Sequence, residues 1–149
     1  MARAHQGDLG IDYRVCTAED LAGAGAGGER FQVITCMEAL EHVPDPAALI
    51  AAAAALLAPG GALFLSTINR NLQSYVSAVL AAEYLLRLLP RGTHDYARFI
   101  RPSELAAWLR AAGLQVVTLR GMHYLPGLNK ALLSDRPMVN YLVHARHAD

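Results

Sequence analysis

Two carboxylates and an imidazole lie close together in the sequence, at Glu38, Glu41 and His42. The i, i+3 spacing brings Glu38 and Glu41 near each other if a helical turn forms there. Carboxylate oxygens suit a hard cation such as Mg²⁺, whereas an imidazole suits Zn²⁺ better. His42 alone is also a candidate general base, because an unperturbed imidazole titrates near pH ~6.5. The alternative is that all three residues simply hydrogen-bond the backbone where a strand stops.

The flanking sequence predicts the elements that must position these residues. Residues 31–37 (FQVITCM) form a continuous apolar run that is typical of a central parallel strand. Residues 45–58 predict a helix, with Asp45 as N-cap, Pro46 in the first turn and Pro59-Gly60-Gly61 as the stop. Further strands are predicted at 11–16, 62–68, 114–119 and 139–145, and a further helix at 103–112. This alternation indicates an α/β fold with a mostly parallel sheet.

A second polar group follows the strand predicted at 62–68. Thr67, Asn69 and Arg70 lie there, and in α/β sheets ligands bind beyond the carboxyl ends of the strands. We therefore expect this group to share one rim with Glu38–His42. Its side chains either orient a substrate ring or belong to an ordinary turn.

The glycine-rich run AGAGAGG at residues 22–28 contains a G-x-G-x-G pattern. A nucleotide-binding glycine loop follows a strand and opens a helix, because the helix N-terminus receives the ligand. Here a helix-like segment precedes the run and a strand follows it. We interpret the run as a linker.

Length and composition limit the class of protein. The 149 residues fit one domain, and 13 basic residues balance 13 acidic residues, so charge does not direct the chain to nucleic acid. Cys16 and Cys36 are far apart in the sequence and are expected to be reduced and buried, as in a cytosolic protein. No secretory signal or bilayer-spanning segment is predicted.

Several motifs together resemble a known family. FQVITCMEALEHVPDPAALI followed by LLAPGG resembles the fourth strand and following helix of class I S-adenosylmethionine-dependent methyltransferases. The segment STINRN…GTHDY…FIRP, with Gly121–Tyr124 and Val139–Tyr141, is similar to the ubiquinone-biosynthesis O-methyltransferases. The resemblance implies a Rossmann-like sheet, mostly parallel with an antiparallel final strand, over residues 1–149. It also implies that the first β-α-β unit, with the cofactor's glycine loop, is lacking, so we expect this chain alone to bind S-adenosylmethionine weakly or not at all.

The resemblance also assigns roles to individual residues. Met37 is implied to contact S-adenosylmethionine, and we place Ala18 and Glu19 in the same cofactor-binding set. Glu38, Glu41 and His42 match the positions associated with a divalent metal, Mg²⁺ or Zn²⁺, which would lower the pKa of a phenolic oxygen. His42 as the base that removes the phenolic proton is the competing role.

An apolar segment interrupts the α/β pattern. The resemblance implies a helical insertion at about residues 71–95, and Leu72–Leu89 reads as a helix that is apolar on nearly all sides. The expected substrate is a polyprenylated phenol or catechol in a membrane. We therefore predict that this helix dips into the lipid interface, in a cytoplasmic, peripherally membrane-associated enzyme that belongs to a ubiquinone-biosynthesis complex. The rival interpretations are a methyltransferase for another lipophilic phenol and a non-catalytic lipid- or protein-binding module.

Overall fold

A computed structural model describes residues 10–23, 28–76, 95–125 and 130–148. Four helices lie in this part of the chain: α1 (Ala18–Gly23), α2 (Pro46–Leu56), α3 (Leu72–Ser74) and α4 (Pro102–Ala111). The strands are β1 (Phe31–Met37), β2 (Leu57–Ile68), β3 (Leu114–Leu125), β4 (Lys130–Ser134) and β5 (Asn140–His147). Short 3-10 turns occupy Leu40–His42 and Tyr96–Arg98.

The five strands form one sheet in the order β1-β2-β5-β3-β4. β1 and β2 are parallel, and β5 is antiparallel to both of its neighbours, β2 and β3. Consequently β1, β2 and β3 share one direction, and the predicted antiparallel final strand is confirmed. β4 was not predicted; it forms a hairpin with β3.

α2 follows its predicted capping pattern at the N-terminus and departs from it at the C-terminus. The Asp45 side chain accepts a 3.0 Å hydrogen bond from the Ala48 backbone N–H, as an N-cap does. The helix ends at Leu56, two residues earlier than predicted, and β2 begins at once with Leu57. Pro59-Gly60-Gly61 therefore lies within β2 and is not a separate stop. Phe31 pairs with Leu57 and Val33 pairs with Ala62, so the register between β1 and β2 shifts between these two pairs. This irregularity accommodates the β2 residues that have no partner on β1.

Three expectations for the beginning of the chain are wrong. Residues 11–16 form no strand, and Cys16 is exposed, because no strand of the described sheet lies beside them. β1 has its predicted bounds, but it is an edge strand of the described sheet and not a central one. As a result Val33 is 59% exposed and Met37 is 46% exposed.

The core lies between the sheet and the helices α2 and α4. Leu63 and Leu65 of β2 and Val143 of β5 pack there against residues of both helices, which include Ile50, Leu105 and Leu109. Tyr141 is buried in the same cluster, and its hydroxyl donates a 2.9 Å hydrogen bond to the Ile100 carbonyl oxygen. This packing fixes the carboxyl ends of β1 and β2 relative to α4.

Candidate functional site

Glu38 begins the rim of the sheet directly after β1. Its φ of 50° is the positive value that side chains disfavour, and it is the one non-glycine residue of the described chain with such a value. Its backbone N–H donates to the carbonyl oxygen and to the hydroxyl of Ser66, at 3.1 and 3.0 Å. The Ser66 hydroxyl in turn donates to the Glu38 carboxylate at 2.6 Å, and Asn140 Nδ2 donates to it at 3.4 Å. These contacts join the ends of β1 and β2 to the start of β5.

Glu41 is buried in the 3-10 turn that follows, and its carboxylate accepts a 2.8 Å hydrogen bond from the Thr67 hydroxyl. Thr67 shares its face of β2 with Leu63 and Leu65, which line the core, whereas Ser66 belongs to the opposite face. The two carboxylates are therefore held by successive residues whose side chains leave β2 in opposite directions.

This separation shows how the three predicted metal-ligand candidates are arranged, and the metal itself stays a prediction. Glu38, Glu41 and His42 share the rim, as expected, but their side chains do not converge, and His42 is exposed to solvent. In the described ranges no three His, Cys, Asp or Glu side chains gather as metal ligands do. The residue types suit Mg²⁺ or Zn²⁺, but the arrangement does not present them together.

An apolar pocket of about 380 Å³ lies between β1, α1 and α2. Met37 and Ala18, two of the three residues predicted to bind cofactor, line this pocket together with Cys36. Burial, followed by the charge of Glu41, raises the pKa of the Cys36 thiol. Glu19, the third predicted residue, lines a neighbouring hollow of about 440 Å³ that also touches Ala18.

A second pocket, of about 320 Å³, lies on the other side of Leu40, which contributes to both cavities. Phe99 and Trp108 give it aromatic walls, and Glu41 and Arg70 give it polar ones. Sequence reasoning missed Phe99 and Trp108. The only signal for Trp108 was its place in the predicted helix, where an aromatic residue usually belongs to the core.

Arg70, for which the sequence left open a role in orienting a substrate ring or an ordinary turn, is bonded within the protein. Its guanidinium forms an ion pair with Glu104 and donates to the Ala97 carbonyl oxygen at 3.2 Å. The other Glu104 oxygen accepts the Arg101 backbone N–H at 2.8 Å, at the start of α4. Arg70 therefore ties the segment after β2 to the start of α4.

Three side chains after β2 hold the connection between β4 and β5. Asn69 Nδ2 donates to the Pro137 carbonyl oxygen and Asn71 Nδ2 to that of Met138, each at 2.6 Å. The Ser74 hydroxyl also donates to Met138, at 3.2 Å. Asn69, like Thr67 and Arg70, thus contacts protein groups. We call these contacts of Asn69, Asn71 and Ser74 the polar clamp.

Parts of two predicted segments lie outside the described residues: 24–27 of the glycine run and 77–94 of the insertion. In the described chain, α1 precedes the glycine run and β1 follows it, which is the order on which the linker interpretation rests. No helix in this part of the chain combines the length and the hydropathy needed to cross a membrane.

Comparison with known proteins supplies the relatives. Over 147 residues the chain is 56% identical to the "Ubiquinone biosynthesis O-methyltransferase" of Xanthomonas axonopodis pv. citri (strain 306), which covers 97% of this chain and 61% of that protein. It is 54% identical over 150 residues to the protein of the same name from Aromatoleum aromaticum, covering 99% and 63%. The chain thus spans about three-fifths of the length of the curated relatives it matches.

Solved structures show the fold. The magnesium protoporphyrin IX methyltransferase of Synechocystis PCC 6803, solved with bound SAH, superposes with a TM-score of 0.62 at 16% identity, over 99% of this chain and 57% of that one. A methyltransferase of Thermotoga maritima superposes with a TM-score of 0.60 at 15% identity, over 93% and 65%. The methyltransferase domain family matches residues 3–119. The chain therefore belongs to the methyltransferase domain family and has the class I S-adenosylmethionine-dependent methyltransferase fold.

Proposed function

We propose that this chain is the part of an O-methyltransferase of ubiquinone biosynthesis that contacts the cofactor, in the pocket beside β1, and the methyl acceptor, in the pocket across Leu40. The reaction is transfer of a methyl group from S-adenosylmethionine to a ring hydroxyl of a polyprenylated phenol or catechol. The observation that carries the proposal is the identity of 54–56% to proteins of that name over nearly the whole chain.

The pocket beside β1 supports the cofactor part of the proposal. Its apolar lining, with Met37 and Ala18 on two of its walls, suits the flat adenine ring of S-adenosylmethionine. Glu19, in the adjoining hollow, is placed to meet a polar edge of the same ligand. The bound cofactor supplies an electrophilic methyl group, and the protein mainly has to align acceptor oxygen, methyl carbon and sulfur.

The pocket across Leu40 supports the acceptor part. Phe99 and Trp108 offer aromatic surface on which a phenol ring packs, and Leu40 separates this space from the cofactor pocket by one side chain. In the proposal His42 removes the phenolic proton, and its exposure lets it release that proton to water.

A divalent metal on Glu38, Glu41 and His42 is a separate proposal, and no step above depends on it. Binding there requires the carboxylates to exchange the Ser66 and Thr67 hydroxyls for the ion. Titration of the chain with Mn²⁺, followed by the paramagnetic broadening of the Met37 methyl signal, tests it. Selective broadening that Glu38→Gln removes supports a metal site, and equal broadening of all methionine signals contradicts it.

Location at a cytoplasmic membrane surface completes the proposal. A polyprenylated acceptor resides in lipid, and the predicted apolar helix Leu72–Leu89 follows closely after the carboxyl end of β2 in the chain. Association with other enzymes of ubiquinone biosynthesis belongs to the same proposal, and co-purification with them tests it.

A chimera provides the decisive experiment, because the chain spans three-fifths of its relatives. The segment of the Xanthomonas protein that this chain matches is replaced by this chain, and transfer of radioactive methyl to a short-tailed polyprenyl catechol is measured. We expect the chimera to methylate the catechol at a rate within about tenfold of the parent relative, which corresponds to a loss of at most ~1.4 kcal/mol of transition-state stabilisation.

Two controls assign the result to this chain. Met37→Glu puts a charge in the apolar pocket, and we expect it to remove S-adenosylhomocysteine binding measured by calorimetry. The chain by itself is titrated in parallel, where weak or no binding is expected. A well-folded chimera that binds the cofactor but transfers nothing would favour the rival function, a non-catalytic binding module. Faster transfer to another lipophilic phenol would instead favour the rival substrate.

A further inference from the structure

A series of aromatic rings leads away from the pocket across Leu40. Phe99 lines that pocket and is itself only 1% exposed. The Tyr96 ring lies edge-on to Phe99 with a centroid distance of 5.5 Å, and the Tyr75 ring lies edge-on to Tyr96 with a centroid distance of 5.2 Å. Both separations are those of favourable edge-to-face pairs. We call Phe99, Tyr96 and Tyr75 the aromatic track.

Exposure rises along the aromatic track from the pocket to solvent. Phe99 is buried, Tyr96 is half-buried and Tyr75 is 37% exposed. Val76, which follows Tyr75, is 49% exposed, and Leu72, at the start of α3, is 76% exposed. The aromatic track and these two aliphatic side chains therefore offer apolar surface from the wall of the pocket to the outside of the protein.

Hydrogen bonds at the starts of two separate turns hold the tyrosines in place. The Asp95 side chain accepts the Ala97 backbone N–H at 3.0 Å and so caps the 3-10 turn that carries Tyr96. The Tyr75 backbone N–H donates to the Asn71 carbonyl oxygen at 3.1 Å, and Asn71 belongs to the polar clamp. The surface is thus formed before a ligand arrives, which lowers the ordering cost of binding.

The size of the pocket requires a long ligand to leave it. A cavity of about 320 Å³ lies at the lower end of the volumes of small-molecule sites, so it holds a substituted ring but not a chain of many isoprene units. An isoprenoid tail has no directional partners and binds through the apolar area that it buries. Aromatic rings beside the mouth of the pocket provide that area.

We propose that the aromatic track binds the first isoprene units of the acceptor's polyprenyl tail, with Tyr96 contacting the unit nearest the ring and Tyr75 the unit that follows. The inference rests on the proposed function, because it places the acceptor ring in the pocket across Leu40. It makes Tyr96 and Tyr75 specificity-determining residues for the tail. Tail binding requires neither the cofactor nor methyl transfer, so the two proposals can fail separately.

Trp108 provides the readout, because it is the single tryptophan of the chain and lines the same pocket. The 149-residue chain is titrated with catechol and with catechols that carry one, two or three isoprene units, and Trp108 fluorescence gives each Kd. We expect the affinity to rise about tenfold with the first unit and about tenfold again with the second, because each unit buries apolar area on one tyrosine. The third unit extends beyond Tyr75 and should add less than about threefold.

Two variants test the order of the contacts. Tyr96→Ala should weaken the binding of every prenylated catechol about tenfold and leave the Kd of catechol unchanged, because the tail alone loses apolar contact. Tyr75→Ala should weaken only the ligands with two or three units. Tyr96→Phe is the matched control that keeps the aromatic surface, and it should bind every ligand as the native chain does. Leu132→Ala removes an exposed aliphatic side chain on β4, outside the track, and should change no Kd.

Tyr75→Ala also covers the case in which Tyr96→Ala fails to fold, because Tyr75 is the more exposed of the two. Affinity that does not depend on tail length, or a Tyr75→Ala protein that binds the two-unit ligand as the native chain does, would overturn the proposal. Equal weakening of catechol and of the prenylated catechols by Tyr96→Ala would also overturn it, since the track would then only support the pocket. Tail-dependent binding by the chain beside a chimera that transfers no methyl group would support this proposal and contradict the proposed function alone.

Discussion

The Tyr141 hydroxyl on β5 donates its hydrogen bond to the Ile100 carbonyl oxygen, just before α4. The contact joins the antiparallel strand in the middle of the sheet to the segment that lines the pocket beside Phe99 and Trp108. Burial raises the pKa of Tyr141 well above its usual range, and the charges of Glu104 and Glu41 raise it further. The folded protein therefore keeps this phenol neutral.

This raised pKa predicts a loss of stability in alkali. Below pH ~10 the phenol is neutral in both the folded and the unfolded protein, so its full contribution to the free energy of unfolding is present. Above pH ~10, ionisation of the phenol in the unfolded chain lowers the free energy of unfolding by up to ~1.4 kcal/mol per pH unit. Urea unfolding between neutral and alkaline pH should show a steeper fall for the native sequence than for Tyr141→Phe. At neutral pH the variant should lose about 1 kcal/mol from the missing hydrogen bond. Parallel curves for the two proteins would show that the phenol does not titrate on unfolding.

Thr67 should be more sensitive to substitution than its neighbour Ser66, because the Thr67 hydroxyl bonds the buried carboxylate of Glu41. Thr67→Val keeps the shape of the side chain but leaves Glu41 without its donor, so we expect a loss of about 1–3 kcal/mol in the free energy of unfolding. Ser66→Ala removes one of two side-chain donors to Glu38, whose carboxylate is exposed to water and keeps the contact with Asn140, and should cost less. Thr67→Ser is the control that retains the donor. Equal losses in urea unfolding for the Thr67→Val and Ser66→Ala proteins would contradict the assignment.

Much of this arrangement was predictable from local sequence. Apolar runs bounded by turn residues predicted β1 with its observed bounds, and Asp45-Pro46 predicted the start of α2. β4 was missed because the run KALLS owes its strand conformation to pairing with β3, a contact that no local pattern specifies. The rim position of Glu38, Glu41 and His42 was predicted as well. Their separation was not, because it depends on which faces of β2 carry Ser66 and Thr67, and packing decides that.

The two cysteines should differ in reactivity. Cys16 is exposed, whereas Cys36 is partly buried and burial raises its pKa, so less thiolate is present at neutral pH. With iodoacetamide we expect one thiol to react quickly and one slowly, as counted by mass spectrometry. Cys16→Ser should abolish the fast phase alone. A fast phase that survives in this variant would show that the apolar pocket admits the reagent freely.

Gly121 on β3 should tolerate no side chain, because the β4–β5 connection packs directly on its backbone. A Cβ atom there would lie 2.0 Å from the Arg136 carbonyl oxygen and 2.7 Å from the Ser134 hydroxyl. Gly121→Ala must therefore displace backbone, at a cost of about 1–3 kcal/mol in the free energy of unfolding. Gly113→Ala is the control, because Gly113 has a positive φ but open space around it, so it loses only the conformational term of about 1 kcal/mol. Since the displaced connection also receives the polar clamp, Gly121→Ala should in addition shift the Met138 methyl signal in the NMR spectrum, and Gly113→Ala should not. An unchanged Met138 signal in a destabilised Gly121→Ala protein would mean that the connection moves without disturbing the clamp.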